Sequence, residues 1–220
     1  MMKTPRPIAL TAVALTTASC ATATADEPRV PVPGPASLQS EVPADETVEL
    51  RLANGEATIV AADIDHVEMS VRIRCPEDSS RCRKRAGEAR LNSERSRGRT
   101  RFGLSKAPGS GAEVVFEIRV PTDRSLDVRM KYGALTIQNH ADDLEVAMTA
   151  GAIDIARPEN GVGRVKLAAS VGESTLLTPE IAREGRRPLL VGSKVEWDGS
   201  GDDTVSARVR FGDIQLRLMP

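Results

Sequence analysis

Few side chains in this sequence could do chemistry, and they are scattered. Two histidines stand near acids: His66 follows Asp63-Ile64-Asp65, and His140 precedes Asp142 and Asp143. An imidazole with carboxylates beside it could ligate a divalent metal. The same residue types recur at turns, where short polar side chains bond to local backbone, and both histidines fall at junctions between strand-like runs. A carbohydrate-active enzyme would need paired carboxylates. Asp154 is the best single candidate and Glu196 its nearest partner. If each repeat of the C-terminal half forms one coil, the two lie two coils apart, roughly 10 Å. That exceeds the roughly 6.5–9.5 Å separation of an inverting pair. Aromatic residues make up only 2% of the chain, so a sugar platform is missing too. No Ser, His and Asp frame a strand-to-helix elbow, and no glycine-rich phosphate loop leads into a helix. These residues point to no catalytic site, no metal and no cofactor.

One segment is strongly charged. Between Arg81 and Arg101, nine Lys and Arg side chains face only Glu88 and Glu94. Arg95, Arg97, Arg99 and Arg101 alternate along it, a pattern that could bind a polyanion such as anionic lipid or acidic glycan. Alternating arginines also guard an edge strand against pairing with a second sheet, which is the plainer expectation. The whole chain has a formal net charge of -1, so no global field argues for nucleic acid.

Cys75 and Cys82 flank a short polar run, Pro76-Glu77-Asp78-Ser79-Ser80-Arg81, with no histidine or further cysteine near. In an oxidising compartment such a pair is expected as a disulfide, contributing about 2.5 kcal/mol on the chain-entropy model. The compartment is indicated by the N-terminus. Lys3 and Arg6 precede an apolar run from Ile8 to Ala18, and Ala23-Thr24-Ala25 forms a small-x-small cleavage site before Asp26. Residues 1–25 therefore read as a signal peptide, too short to stay as a membrane-spanning helix. Thr17-Ala18-Ser19-Cys20 also resembles a bacterial lipobox, which would make Cys20 a lipidated first residue and attach the protein to a membrane. Either way the protein is exported, to the periplasm, the outer membrane or the cell surface.

These groups must be held by the rest of the chain, and its patterns are those of strands. Residues 26–46 contain Pro28, Pro31, Pro33, Pro35 and Pro43 and read as an extended spacer that could reach on the order of 60 Å. Residues 47–220 read as one all-β domain. Val48, Leu50 and Leu52 alternate with polar residues before a turn signal at Asn54-Gly55. Val67, Met69, Val71 and Ile73 alternate in the same way, as do Val114, Phe116, Ile118 and Val120. Only residues 81–96 offer a short helix.

Residues 126–220 repeat. Gly133, Gly151, Gly172, Gly192 and Gly212 recur at intervals of 18, 21, 20 and 20 residues. Before Gly133 the apolar positions are Leu126, Val128, Met130 and Tyr132; after it they are Leu135 and Ile137. The same change of parity occurs at Gly151, with Ala150 as the last even position, and at Gly212, with Phe211 as the last odd one. A parity change means that the inward side chains switch faces, so the strand must turn a corner there. Glycine tolerates such a backbone. The copy at Gly192 differs, because Val191, Val195 and Trp197 keep their parity, so its corner is expected to be built differently. A unit of about 20 residues with two short strands and a corner suits a β-solenoid-like stack, with an antiparallel β-sandwich as the alternative.

The run Val120-Pro121, Leu126-Asp127-Val128 and the glycine-led copies resemble the bacterial "putative adhesin" family of envelope proteins, related to the toastrack and head-GIN domains. The resemblance covers about residues 46–220. The repeat and the lack of a site point to a non-catalytic scaffold, binding or adhesion module whose partner is another protein, a surface glycan or a second copy, and the resemblance implies the repeating β-fold. It carries over no catalytic residues.

Overall fold

We describe residues 28–33, 37–109, 111–186 and 191–220 of a computed structural model. The expected leader over residues 1–25, with Cys20, lies outside the described residues. The elements run β1 (Arg29–Val32), β2 (Ser37–Glu41), β3 (Thr47–Ala62), β4 (His66–Pro76), α1 (Ser80–Glu88), β5 (Arg90–Ser96), β6 (Arg99–Ser105), β7 (Glu113–Pro121), β8 (Leu126–Gln138), β9 (Leu144–Pro158), β10 (Val162–Val171), β11 (Ser174–Leu177), β12 (Ala182–Glu184), β13 (Ser193–Asp198) and β14 (Asp203–Met219). Among the described residues the fold is all-β with one short helix, and the 14 strands form a single sheet that does not close.

The long strands cannot be straight. Extended at about 3.3 Å per residue, the 15 residues of β9 would run about 50 Å. Yet Arg157 near the end of β9 donates through Nη1 to the carbonyl of Asp142, just before its start, at 2.9 Å. The strand therefore doubles back on itself, and Gly151, at φ 135°, is where it turns. The same corner occurs at Gly133 in β8 and at Gly212 in β14. Gly172 makes it between β10 and β11.

Each folded strand thus has a first arm before its glycine and a second arm after it, and the arms of successive strands pair in parallel register. Along the first arm Leu50, Val128, Val146, Ala207 and Leu167 form one inward row. Along the second, Ile59, Ile137, Ile155, Leu216 and Leu176 form another. All ten are buried in one core between the arms. Burying one such aliphatic side chain stabilises by about 1.5–3 kcal/mol. The layering is that of a sandwich, two faces over one core. The repeat strands pair in parallel, and antiparallel pairs lie at the two ends of the sheet, at β4–β7, β5–β6 and β10–β13.

The order of the strands departs from the expected succession of coils. It runs β3, β8, β9, β14, β10, so the C-terminal strand is inserted between β9 and β10. The segment after Gly192 explains this. The corner expected at Gly192 does not form: β13 runs straight and antiparallel along the outer edge of β10, from Arg164–Asp198 to Ala169–Ser193. Its unchanged parity is what a straight strand requires. Gly192 accordingly lacks the positive φ of the other four.

Two further stretches differ from expectation. Asn54-Gly55 is not a hairpin turn but a fifth corner. Gly55 has φ 130° and pairs with Gly133 in the parallel ladder. The proline-rich stretch is not a free spacer throughout, since β1 and β2 both pair with β4 and Val42 is buried. An edge strand tolerates a residue such as Pro31 because one side of it needs no donor. The helix expected within residues 81–96 is confined to α1, which starts where the side chain of Ser79 accepts the amide of Cys82 at 3.3 Å.

Candidate functional site

Cys75 at the end of β4 and Cys82 in α1 are joined as a disulfide, which fastens the helix to the sheet. The other sequence candidates do not converge. Arg95 places Nε 3.2 Å from Glu46, Arg99 places Nη1 3.3 Å from Asp127, and Arg101 places Nε 3.2 Å from Glu49. Arg97 sits at φ 51° in the turn joining β5 to β6. Glu49 and Asp127 are themselves buried, and a buried carboxylate needs a cation or several hydrogen bonds. Three of the four arginines therefore balance carboxylates of this same domain, and a polyanion would have to displace them.

His66 lies between Asp65 and Glu68, at 2.9 and 3.0 Å from its two ring nitrogens. Both carboxylates raise its pKa, Asp65 the more. His140 is fully buried, and its Nε2 contacts the carbonyl of Arg124 at 2.9 Å. Burial lowers its pKa, and the charge of Arg157 adds to that. Among the described residues no three His, Cys, Asp or Glu side chains gather as a metal would require. Asp154 is held by Arg217 on the second arm at 2.9 and 3.0 Å. Glu196 is on β13, beside the first arm of β10. They lie on different arms and cannot flank one glycosidic bond.

A different feature emerges from the corners. The residues immediately before the corner glycines stand in one ladder row: Asn54, Tyr132, Ala150, Phe211 and Val171. Their parity is that of the inward side chains, so the sequence alone assigns Tyr132, Ala150 and Phe211 to the core. The structure corrects this. The backbone has already begun to turn at these positions, and the side chains project past the end of the core. Tyr132 is 52% exposed, Phe211 47% and Val171 43%. Val191, 61% exposed, adjoins them where its carbonyl accepts the amide of Gly172 at 3.2 Å. The result is a ridge about 20 Å long across five strands spaced about 4.8 Å apart, apolar except at its Asn54 end. The polar Asn54 in the same row is the one sequence signal that this row does not face a core.

The ridge has unlike flanks. The outward rows two and four residues before each glycine contain Arg51, Arg129, Lys131, Arg208 and Arg210, and no acid. They line an open groove on the first arm. The outward rows one and three residues after each glycine contain Glu56, Asp154, Glu173 and Asp213, and no base. Lys131 and Arg210 have no ion pair among the described residues, whereas Arg51 is held by Glu49, Arg208 by Glu145 and Arg129 by Asp127, which raises the pKa of Arg129. The Arg210 guanidinium lies 5.3 Å from the ring centroid of Phe211 and helps to fix that ring in its exposed place. An apolar strip between opposite charges can bind another protein.

No protein-family model matches the chain, and no curated protein does. Among solved structures it is similar to a putative cell adhesion protein from Clostridium sporogenes, at 12% identity. That match covers 84% of this chain and 100% of the other, with a TM-score of 0.47. It is also similar to a putative adhesin from Parabacteroides merdae at 7% identity, covering 84% and 79%, with a TM-score of 0.23.

Proposed function

We propose that this chain is an exported, non-catalytic module of the bacterial envelope that works by protein–protein contact through the corner ridge. The observation that carries the reading is the ridge itself, with Tyr132 and Phe211 half exposed in one ladder row. Large apolar side chains in a rigid row bind at little entropic cost, because their backbone is already ordered. The finer architecture belongs to the same proposal. The in-register corner glycines support a β-solenoid-like stack of the toastrack kind, with its last coil inserted out of order. The basic start, apolar run and small-x-small site support export.

The test compares cells expressing the parent with cells expressing Tyr132→Ser/Phe211→Ser. The double variant should melt and export as the parent does, yet lose attachment of cells to a surface or to one another. Unchanged attachment would overturn the ridge as the binding surface. Turnover of glycosides, esters or phosphoesters by the dialysed parent would overturn the non-catalytic reading. Intact mass of the exported protein distinguishes cleavage after Ala25 from lipidation at Cys20.

A further inference from the structure

The charge pattern of the ridge identifies its partner more closely. We propose that the ridge pairs with the same ridge of a second copy of this chain, side by side and pointing the same way. The proposal rests on reading the ridge as a binding surface.

Symmetry limits how two copies can meet. Two identical ridges can meet about a twofold axis lying in the contact plane, which runs either along the ridge or across it. An axis across the ridge lays basic flank on basic flank and acidic on acidic. Like charges set opposite one another oppose association. An axis along the ridge lays each basic flank over the acidic flank of the other copy. It also keeps every rung level with its own counterpart. Arg210 then faces Asp213 of the partner subunit on the β14 rung, and Lys131 faces the gap between Glu56 and Asp213 of the partner subunit. Tyr132 and Phe211 each meet their own equivalents at the centre, where aromatic pairs stack favourably.

The complementarity comes from the repeat. Because every corner has the same geometry, the rows before and after the glycine run the whole length of the ridge. One flank collects bases on β3, β8 and β14, the other collects acids on β3, β9, β14 and just ahead of β11, and neither contains the opposite charge. A partner of uniform charge would be repelled by one flank: an anionic membrane by Glu56 and Asp213, a basic peptide by Lys131 and Arg210.

The contact is small. A strip about 20 Å long and about 20 Å wide covers about 400 Å² on each copy, short of the roughly 1,200 Å² in total of a standard stable complex. Pairing should therefore be weak in dilute solution and strengthen when copies are held on one surface, as effective concentration rises.

Sedimentation velocity of the full chain tests the pairing, with two variants that read its geometry. The parent should pass from monomer to dimer as concentration rises to about millimolar. Arg210→Asp should raise the dissociation constant at least about tenfold, and Arg210→Asp with Asp213→Arg should bring it back to within about threefold of the parent. Asn54→Cys, in a Cys20→Ser background, should form a disulfide-linked dimer under mild oxidation. Asn54 is on the end rung and meets its own equivalent only in the same-direction arrangement. A parent that stays monomeric at millimolar concentration would sink the proposal, and so would an Arg210→Asp variant that dimerises as well as the parent. A dimer in which Asn54→Cys fails to cross-link would overturn the arrangement. If the Tyr132→Ser/Phe211→Ser variant loses attachment while the parent is monomeric, self-pairing falls and the ridge as a binding surface stands.

Discussion

Gly151 shows how much depends on one missing side chain. A Cβ built there would lie 1.8 Å from the carbonyl oxygen of Gly133, and the backbone at φ 135° is one that side-chain-bearing residues avoid. The obstruction is a neighbouring corner, so relieving it requires two strands to move apart. Gly151→Val should lower stability by at least about 3 kcal/mol, and thermal melts will read it. Gly87 in α1 is the contrast, because a Cβ there meets nothing within 4 Å. Gly87→Ala should leave the melting temperature unchanged or raise it, by up to about 1 kcal/mol in stability. A Gly151→Val protein that melts with the parent would mean that the corners are not tightly stacked.

The two histidines give opposite dependences on pH. His140 has a lowered pKa because it is buried and faces Arg157, with Asp142 nearby opposing the shift. Folding therefore favours its neutral form. The stability it contributes is complete above its unfolded pKa of about 6.5 and is lost as pH falls below that value. His66, whose pKa is raised by Asp65 and Glu68, contributes below about 6.5 and loses that contribution as pH rises through its folded pKa. His66 stays near the surface and should matter less. Melting temperatures between pH 5 and 8 should therefore fall toward acid, and His140→Leu should flatten that slope. A slope unchanged in His140→Leu would assign the acid sensitivity elsewhere.

At the scale of elements, the seam where the second arm of one rung meets the start of the next is held by Arg157. It is fully buried, donates to the carbonyl of Asp142, and pairs with Asp203 at 2.9 Å, linking β9 to the start of β14. Burial works against its charge, and Asp203 offsets that. Removing one member of such a pair leaves the other charge without compensation. Arg157→Ala should cost about 3 kcal/mol, while Arg157→Ala with Asp203→Asn should recover part of the loss. Urea melts of the two variants provide the measurement. Arg217, which pairs with the exposed Asp154, is the control, and Arg217→Ala should cost no more than about 1 kcal/mol.

For the whole molecule, the position of β14 outweighs its place in the sequence. In a stack built in chain order the last strand would be a terminal coil, and trimming it would shorten the protein. Here β14 pairs with β9 on one side and with β10 and β11 on the other. It contributes Val205, Ala207, Val209, Ile214, Leu216 and Leu218 to the core. A chain ending at residue 198 should therefore lose the fold of residues 126–198 altogether, seen as loss of the cooperative thermal transition by circular dichroism. In the intact chain the β14 amides should exchange among the slowest, because its opening requires the stack to part. A truncated chain that still melts cooperatively near the parent temperature would show that β9 and β10 can close up without it.

Local chemistry is legible in the sequence wherever a pattern has one physical solution. A parity change at glycine requires a corner, so Gly133, Gly151 and Gly212 could be read directly, and Gly55 and Gly172 carried the same signal, from Leu52 to Ala57 and from Val171 to Leu176. Cys75 and Cys82, with no other cysteine near them, had one partner each. The order of the strands had no such determinant. Val205, Ala207 and Val209 present the same alternation as Leu144, Val146 and Met148, and a parallel ladder accepts either neighbour. Only the straight run of β13, which takes the outer edge of β10, leaves β14 the place beside β9. Exposure at the corners was decided in the same way. Tyr132 and Phe211 continue the inward parity, but parity describes a strand that goes on, and these strands turn. Which face a side chain takes at the end of an arm depends on the position of the next arm, and that position is set by contacts far away in sequence.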